Sequence, residues 1–403
     1  MGHCFPYEGG PGPLIGYLQE TLRWWDHWLK GRATGVMDEP PIRVWMQEWE
    51  PPLAEIPVRR GRWVAAHAWP DPAAPGLDMW LGEQGLSRTR TASNAASSVA
   101  SPTVAGRASS DWCPYGLGPD LATDQREDDA VAPVFDSEPL DRPLDILGAP
   151  VLAINVAADR PVAQLVVRLC DVAPDGSSVR VTYGVLNLTH RGGHERPEPL
   201  EPGRSYRVRL ALNDCAHAFP AGHRVRVALG TSYWPVVWPA PEPVTLTVAL
   251  GSGSLTLPVR APKATDTTLA PFGPAECAPE RAFTVLRAPT RGRQALAADA
   301  TGTTRLVSVR DRGRFRLDDI GLIHEGWGQG VHSFGEGDPA SAVTETQRRV
   351  AYERDGWSVR IETRMRLGGD STAFLLQAKL DAFESDAKVF TGTWDEVIPR
   401  CGV

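Results

Sequence analysis

Val151-Leu-Ala-Ile-Asn-Val156, Ala163-Gln-Leu-Val-Val-Arg-Leu-Cys-Asp171, Val179-Arg-Val-Thr-Tyr-Gly-Val-Leu-Asn187 and Arg204-Ser-Tyr-Arg-Val-Arg-Leu-Ala-Leu212 follow one another as short apolar segments. Turn residues separate them, most clearly Pro174-Asp-Gly-Ser177. Arg224-Val-Arg-Val-Ala-Leu229 and Thr245-Leu-Thr-Val-Ala-Leu250 extend the series. Short strands broken regularly by Gly and Pro predict an antiparallel sandwich or barrel. The alternating arginines Arg207, Arg209, Arg224 and Arg226 predict a solvated face, the other face being turned to a core.

Toward the N-terminus the strand signal weakens. Ile42-Arg-Val-Trp-Met46, Arg62-Trp-Val-Ala-Ala-His67 and Asp78-Met-Trp-Leu81 are further short candidates. Ser87 to Ser110, rich in Ser, Thr and Ala, reads as a long exposed loop. Toward the C-terminus, Pro258 to Pro279 reads as a connector. A second strand-rich region follows, with Arg305–Arg310, Arg314–Leu317, Val350–Glu353, Trp357–Met365, Ala373–Ala382 and Lys388–Thr391. Asp355-Gly356 and Gly368-Gly369 read as hairpin turns, so a meander of long antiparallel strands is expected.

One helix breaks this β pattern. Leu14-Ile-Gly-Tyr-Leu-Gln-Glu-Thr-Leu-Arg-Trp-Trp-Asp-His-Trp-Leu-Lys30 carries Leu14, Leu18, Leu22, Trp25 and Leu29 at helical spacing, with Tyr17, Trp24 and Trp28 beside them. Gly31 is a fitting stop, and Lys30 suits the negative end of the helix dipole. So apolar a helix needs a large surface to dock on.

The segments Gly2-His3-Cys4-Phe5-Pro6 and Arg23-Trp24-Trp25-Asp26-His27-Trp28-Leu29-Lys30-Gly31 resemble the end of the catalytic domain in Xaa-Pro dipeptidyl-peptidase and cocaine-esterase-like (CocE/NonD) serine hydrolases. In that family a G-P-W-x-H-x-x-P loop carries the triad histidine, and the next helix ends in W-x-D-x-W-L-K-G. The resemblance implies that His3 is the catalytic general base, although the loop departs from the pattern where Met1 stands. The α/β-hydrolase chain order is nucleophile, acid, histidine. It therefore puts the serine and the acid before Met1, leaving this chain without either and inactive alone. Asp124-Gln-Arg-Glu127, Leu169-Cys-Asp-Val-Ala-Pro-Asp-Gly176, Phe219-Pro-Ala-Gly-His-Arg-Val-Arg226 and Ser232-Tyr-Trp-Pro235 resemble landmarks of the jelly roll that follows the catalytic domain. Asp338-Pro-Ala-Ser-Ala342 resembles a motif of a domain that some members append.

The expected fold is thus mainly β. Residues 1–32 read as a helical remnant of an α/β-hydrolase domain, 33–260 as a jelly-roll β-sandwich, and 280–403 as a second antiparallel β domain of unknown role.

Composition narrows the function. The 403 residues carry a net charge of −7, which argues against nucleic acid or anionic membrane as partner. No apolar run reaches membrane-spanning length and no secretory leader is visible. Six scattered cysteines without a C-x-x-C suggest reduced thiols and a cytoplasmic setting. The sequence leaves room for a homo-oligomer.

Other constellations carry little chemistry. Gly230-Thr-Ser-Tyr-Trp234 lacks the second glycine of a nucleophile elbow, and Trp-Pro-Val-Val-Trp-Pro follows, so Ser232 reads as a strand residue. His190 and His194 flank a turn with no third metal ligand nearby. Cys215, His217 and His223 form a partial soft-metal set for which structural roles are expected. Asp124, Glu127, Asp128 and Asp129 lack the calcium-loop pattern and read as a solvated turn. No cofactor and no metal is expected. Trp234 and Trp238, with Pro235, Pro239 and Pro241, suit an aromatic platform for a sugar or peptide, or a packing surface against the catalytic domain outside this chain, with packing favoured.

Two functions remain. One is the C-terminal part of a serine hydrolase acting on X-Pro peptides or small acyl esters, partnered by an α/β catalytic domain. The other is a non-catalytic β-sandwich module that binds carbohydrate or a protein through exposed tryptophans. The apolar helix favours the first.

Overall fold

A computed structural model describes residues 5–8, 11–71, 74–113, 119–296, 299 and 302–403, with the backbone alone for 293–296. The described chain divides into two units. The first holds the residues up to Ser101, Ala108–Thr231 and Val244–Cys277; the second holds Pro102–Arg107, Ser232–Pro243 and Ala278–Val403.

The first unit opens with α1 (Tyr17–Lys30). The strands β1 (Ile42–Glu48), β2 (Gly61–Ala66), β3 (Gly76–Gly82), β4 (Gly85–Ser87) and β5 (Ala96–Val99) follow. A single-turn helix α2 (Arg126–Asp129) precedes β6 (Val134–Asp136), β7 (Leu144–Gly148), β8 (Val151–Ala158), β9 (Gln164–Val172) and β10 (Ser178–Asn187). The unit closes with β11 (Ser205–Ala211), β12 (Cys215–Phe219), β13 (Arg224–Gly230), β14 (Leu246–Ala249), β15 (Ser254–Pro258) and the short α3 (Ala264–Thr267).

Three sheets result, in the orders β2-β1-β12-β7, β10-β9-β13-β6 and β4-β3-β15-β8-β14-β5, with β11 also on β8. All their pairs are antiparallel except β1 with β12. Many neighbours are distant in sequence, such as β1 with β12, β3 with β15 and β13 with β6, as jelly-roll crossovers require. β8 shows why the pattern predicts a sandwich: Leu152, Ile154, Val156 and Ala158 are buried and the residues between them are half-exposed. β9 is buried along its whole length, so it does not alternate, and its Gln164, Arg168 and Asp171 are buried with its apolar residues.

Two expectations change here. The stretch 87–110 is not one exposed loop. β5 pairs with β14 inside it, Val99 is fully buried, and Ala105, Ala108 and Ser109 are buried too. Small side chains allow that close approach without an apolar signature. The arginine pairs also differ from each other. Arg207 and Arg209 are exposed, whereas Arg226 is largely buried in ion pairs with Asp129 and Asp136.

The second unit is a single nine-stranded sheet. Its strands are β16 (Phe283–Arg287), β17 (Thr290–Leu296), β18 (Thr303–Asp311), β19 (Gly313–Leu317), β20 (Leu322–Gly335), β21 (Asp338–Arg354), β22 (Trp357–Gly369), β23 (Ala373–Glu384) and β24 (Ala387–Pro399). The run β19-β20-β21-β22-β23-β24 is the expected meander; β16 instead pairs β19 across two intervening strands, and β18 and β17 occupy the far half of β20. Asp355 and Gly356 turn the chain with φ of 49° and 79°, as a two-residue hairpin loop demands. Gly368-Gly369 is not a turn but the end of β22. The reversal is built on Asp370, whose carboxylate accepts from the Thr372 amide and hydroxyl and the Ala373 amide at 2.7–2.9 Å.

This sheet has two unlike faces. The row Arg349, Glu362, Asp381, Thr391 crosses β21 to β24 on one face. The adjacent row Val350, Ile361, Ala382, Phe390 lies on the other. At one end Trp234 buries itself against Phe334 and Ala342, with Trp238 alongside. The Trp238 ring meets Trp234 at 5.0 Å and Phe374 at 5.5 Å, both edge-on. These tryptophans do pack, but on this chain's own sheet rather than on a separate catalytic domain as expected, and Trp234, 3% exposed, offers no platform to a ligand.

Candidate functional site

His3, the candidate catalytic residue, lies outside the described residues. The element that follows it in sequence is α1, whose geometry is unusual. It is strongly amphipathic, yet none of its residues is buried. Leu18, Leu22, Trp25 and Leu29 are 42%, 59%, 49% and 73% exposed, and Trp24 and Trp28 are 43% and 54% exposed. The stripe that would ordinarily face a core faces outward, with the Trp24 and Trp28 rings leaning together at 5.8 Å.

Polar groups hold the helix in place. Gly16 N–H donates to the Gly273 carbonyl at 2.9 Å and Gln19 Nε2 to the Pro274 carbonyl at 3.0 Å. Arg23 reaches Glu39 at 2.5 Å and Glu20 at 2.6 Å, and Arg43 joins Glu39 at 2.5 Å. The Arg23 hydrogen bond holds the Glu39 carboxyl below its usual range, against the opposing effect of burial. Gly31 ends the helix at φ 64°, its N–H and that of Arg32 closing on the His27 and Asp26 carbonyls. Phe5, Tyr7 and Tyr17 stack at the other end, with centroids 5.4–6.2 Å apart.

The buried interior brings together groups that the sequence suggested only in part. Asp171 of β9 is fully buried and accepts from His217 Nε2 of β12 at 2.7 Å and from His223 Nδ1 at 2.8 Å. Trp49 and Phe219 close the pair edge-on, at 5.3 Å to His223 and 4.7 Å to His217. The two histidines thus meet on a carboxylate, while Cys215 Sγ points to the Gly148 carbonyl at 3.6 Å. Among the described residues no cluster of three or more His, Cys, Asp or Glu could hold a metal. The bridge ties two sheets together. The missed residue, Asp171, had a signal: an acid at the end of an apolar strand must find buried donors.

The acidic cluster at α2 is not a solvated turn. Asp128 and Asp129 are buried. Asp129 pairs with Arg168 and Arg226 at 2.9 Å each and accepts from Ser178 Oγ at 2.9 Å. Asp124 binds Arg126 at 2.6 Å. Burial of two arginines on neighbouring strands demanded these acids. Ser232, expected in a strand, lies just past the end of β13, in neither strand nor helix. His190 and His194 face each other at 3.1 Å across their exposed turn.

Residues 34–270, more than half the chain, match the sequence profile of the X-Pro dipeptidyl-peptidase C-terminal non-catalytic domain. A Mycobacterium bovis protein named as a candidate serine esterase is 27% identical over 245 residues, covering 56% of this chain and 37% of that protein. The cocaine esterase of Rhodococcus sp. strain MB1 Bresler is 23% identical over 229 residues, covering 52% and 37%. Among solved structures, an α-amino acid ester hydrolase aligns at 24% identity and a TM-score of 0.44, over 50% of this chain and 39% of that one. The chain therefore spans well under half the length of the curated relatives it matches. Among the described residues no helix is long and apolar enough to cross a membrane.

Proposed function

Because this chain belongs to the X-Pro dipeptidyl-peptidase C-terminal domain family, we propose that it works as the C-terminal part of a serine hydrolase, its jelly roll non-catalytic and its α1 seating the α/β catalytic domain on an outward face. That face is the observation that carries the reading. Four apolar positions at helical spacing, Leu18, Leu22, Trp25 and Leu29, flanked by Trp24 and Trp28, form the kind of patch that marks an interaction surface. Tryptophan is also the residue that interface centres favour.

On this reading the jelly roll walls the substrate pocket, and His3 serves as general base. The serine and the acid come from the α/β domain. The serine oxygen attacks an acyl carbonyl; His3 takes the proton and later delivers it to the leaving group, while the acid orients the ring. Substrates are peptides with penultimate proline or small acyl esters, classes that the names of the family and relatives support. The free thiols of the five described cysteines suit a reducing, cytoplasmic setting.

The test is an assay of the isolated chain on p-nitrophenyl acetate and Ala-Pro-p-nitroanilide. No rate above buffer is expected for either. Turnover that His3→Ala abolishes would overturn the reading, because the chain would then supply its own nucleophile.

A further inference from the structure

We propose that β24 is a homodimerisation edge, pairing antiparallel with β24 of a second copy about an axis through Gly392. Among the described residues β24 hydrogen-bonds only to β23, which leaves its outer edge open. Twelve of its thirteen residues are exposed. Val389, Phe390, Trp394, Val397 and Ile398 are 46–68% exposed. Natural edges are usually blunted by proline, lysine or a bulge. Here the proline is Pro399 and the lysine Lys388, both at the ends, and the only register shift sets Val389 aside. The run from Phe390 to Ile398 is regular, and its charges are the adjacent pair Asp395 and Glu396.

The sequence of this run selects a second copy of itself. Phe390-Thr-Gly-Thr-Trp394 is a chemical palindrome about Gly392. In an antiparallel pair centred there, Phe390 faces Trp394 of the second copy, and Thr391 faces Thr393, each twice. Aromatic and threonine cross-strand pairs both stabilise antiparallel sheets. The faces agree: Phe390 and Trp394 register with Ala382 and Ala378 on the apolar side, Thr391 and Thr393 with Asp381 and Lys379 on the charged side. Both rings already lean over the central glycine. A Cβ there would come within 2.7 Å of Trp394 and 3.2 Å of Phe390. Charge fixes the polarity. Lys388 lies at one end and Asp395 and Glu396 toward the other. An antiparallel pair sets the basic end against the acidic end, whereas a parallel pair would oppose like charges. Such an interface is isologous and closes on itself.

The test uses the full 403-residue chain. Light scattering during gel filtration is expected to give twice the 43.7 kDa of one chain. The double substitution Phe390→Lys with Trp394→Lys should return it to one chain mass. Register is read by cysteines, with the exposed Cys277 and Cys401 first changed to serine. Thr391→Cys and Thr393→Cys chains, mixed and oxidised, should cross-link about ten-fold faster than either alone, since only the mixture brings the sulfurs within disulfide reach. A single-chain mass at every concentration overturns the proposal. So does a dimer that survives the lysine substitutions but is lost on Leu22→Glu with Trp25→Glu, because α1 would then be the contact. Equal cross-linking in the mixture and the single variants overturns the register.

Discussion

Replacing Asp171 with alanine should unfold the first unit well before the wild-type chain. The carboxylate is fully buried and accepts one bond from each of two imidazoles, His217 at 2.7 Å and His223 at 2.8 Å. Those side chains are 6% and 8% exposed as residues, so water cannot readily take over. Alanine leaves two buried N–H donors without acceptors. Each costs about 1–3 kcal/mol, which gives a loss of about 2–6 kcal/mol and a central value near 4. For a domain of this size that corresponds to a fall in Tm of about 8–16 °C. Thermal unfolding followed by circular dichroism near pH 7.5 measures it. Asp171→Asn should fall between, because one oxygen still accepts while the amide opposes the second donor. Asp171→Ala combined with His217→Phe and His223→Phe should recover part of the loss, since removing all the polar partners removes the unmet donors. A fall of less than about 3 °C for Asp171→Ala would refute the reasoning, as it is below the cost of even one orphaned donor.

Two further outcomes follow from the geometry. Glu39 is held below its usual range mainly by Arg23, so the stability it gives α1 is complete above the ordinary glutamate value near 4.3 and is lost as pH falls through the lowered one; at pH 7, Glu39→Gln should therefore speed amide exchange across Tyr17–Lys30 and leave β8 and β9 unchanged, and equal exchange in α1 would count against the anchor. Burial pushes the Cys170 thiol up to about 12, so iodoacetamide at pH 8 should label the exposed Cys277 and Cys401 quickly and Cys170 only after unfolding, as peptide mapping would read.

The strands were legible because burial on one side imposes a period of two. β8 and β11 alternate in the structure as they do in the sequence. The helix was legible from an apolar stripe at a period of 3.6, although that stripe faces outward here, and its stop at Gly31 followed from the left-handed backbone that glycine tolerates. What stayed hidden were the long-range polar pairings. Nothing local tells Asp129 that Arg168 and Arg226 will flank it, or Asp171 that two histidines will close on it, because those partners lie tens of residues away. β5 was missed because its small residues, Ala96-Ser-Ser-Val99, carry almost no hydrophobic signal. The hairpin after β22 was misplaced by two residues, since glycine was weighed above the side-chain hydrogen bonding of Asp370.

The second unit borrows two short pieces from far earlier in the chain, 102–107 and 232–243. Trp234, on one of these pieces, fills the space over Phe334 and Ala342. A gene fragment cut at residue 278 would therefore express a sheet with its keystone left behind, and insoluble protein is the natural fate of such a product. Any recombination that transplants this sheet onto another scaffold must carry both inserts with it, which ties the evolutionary history of the two units together.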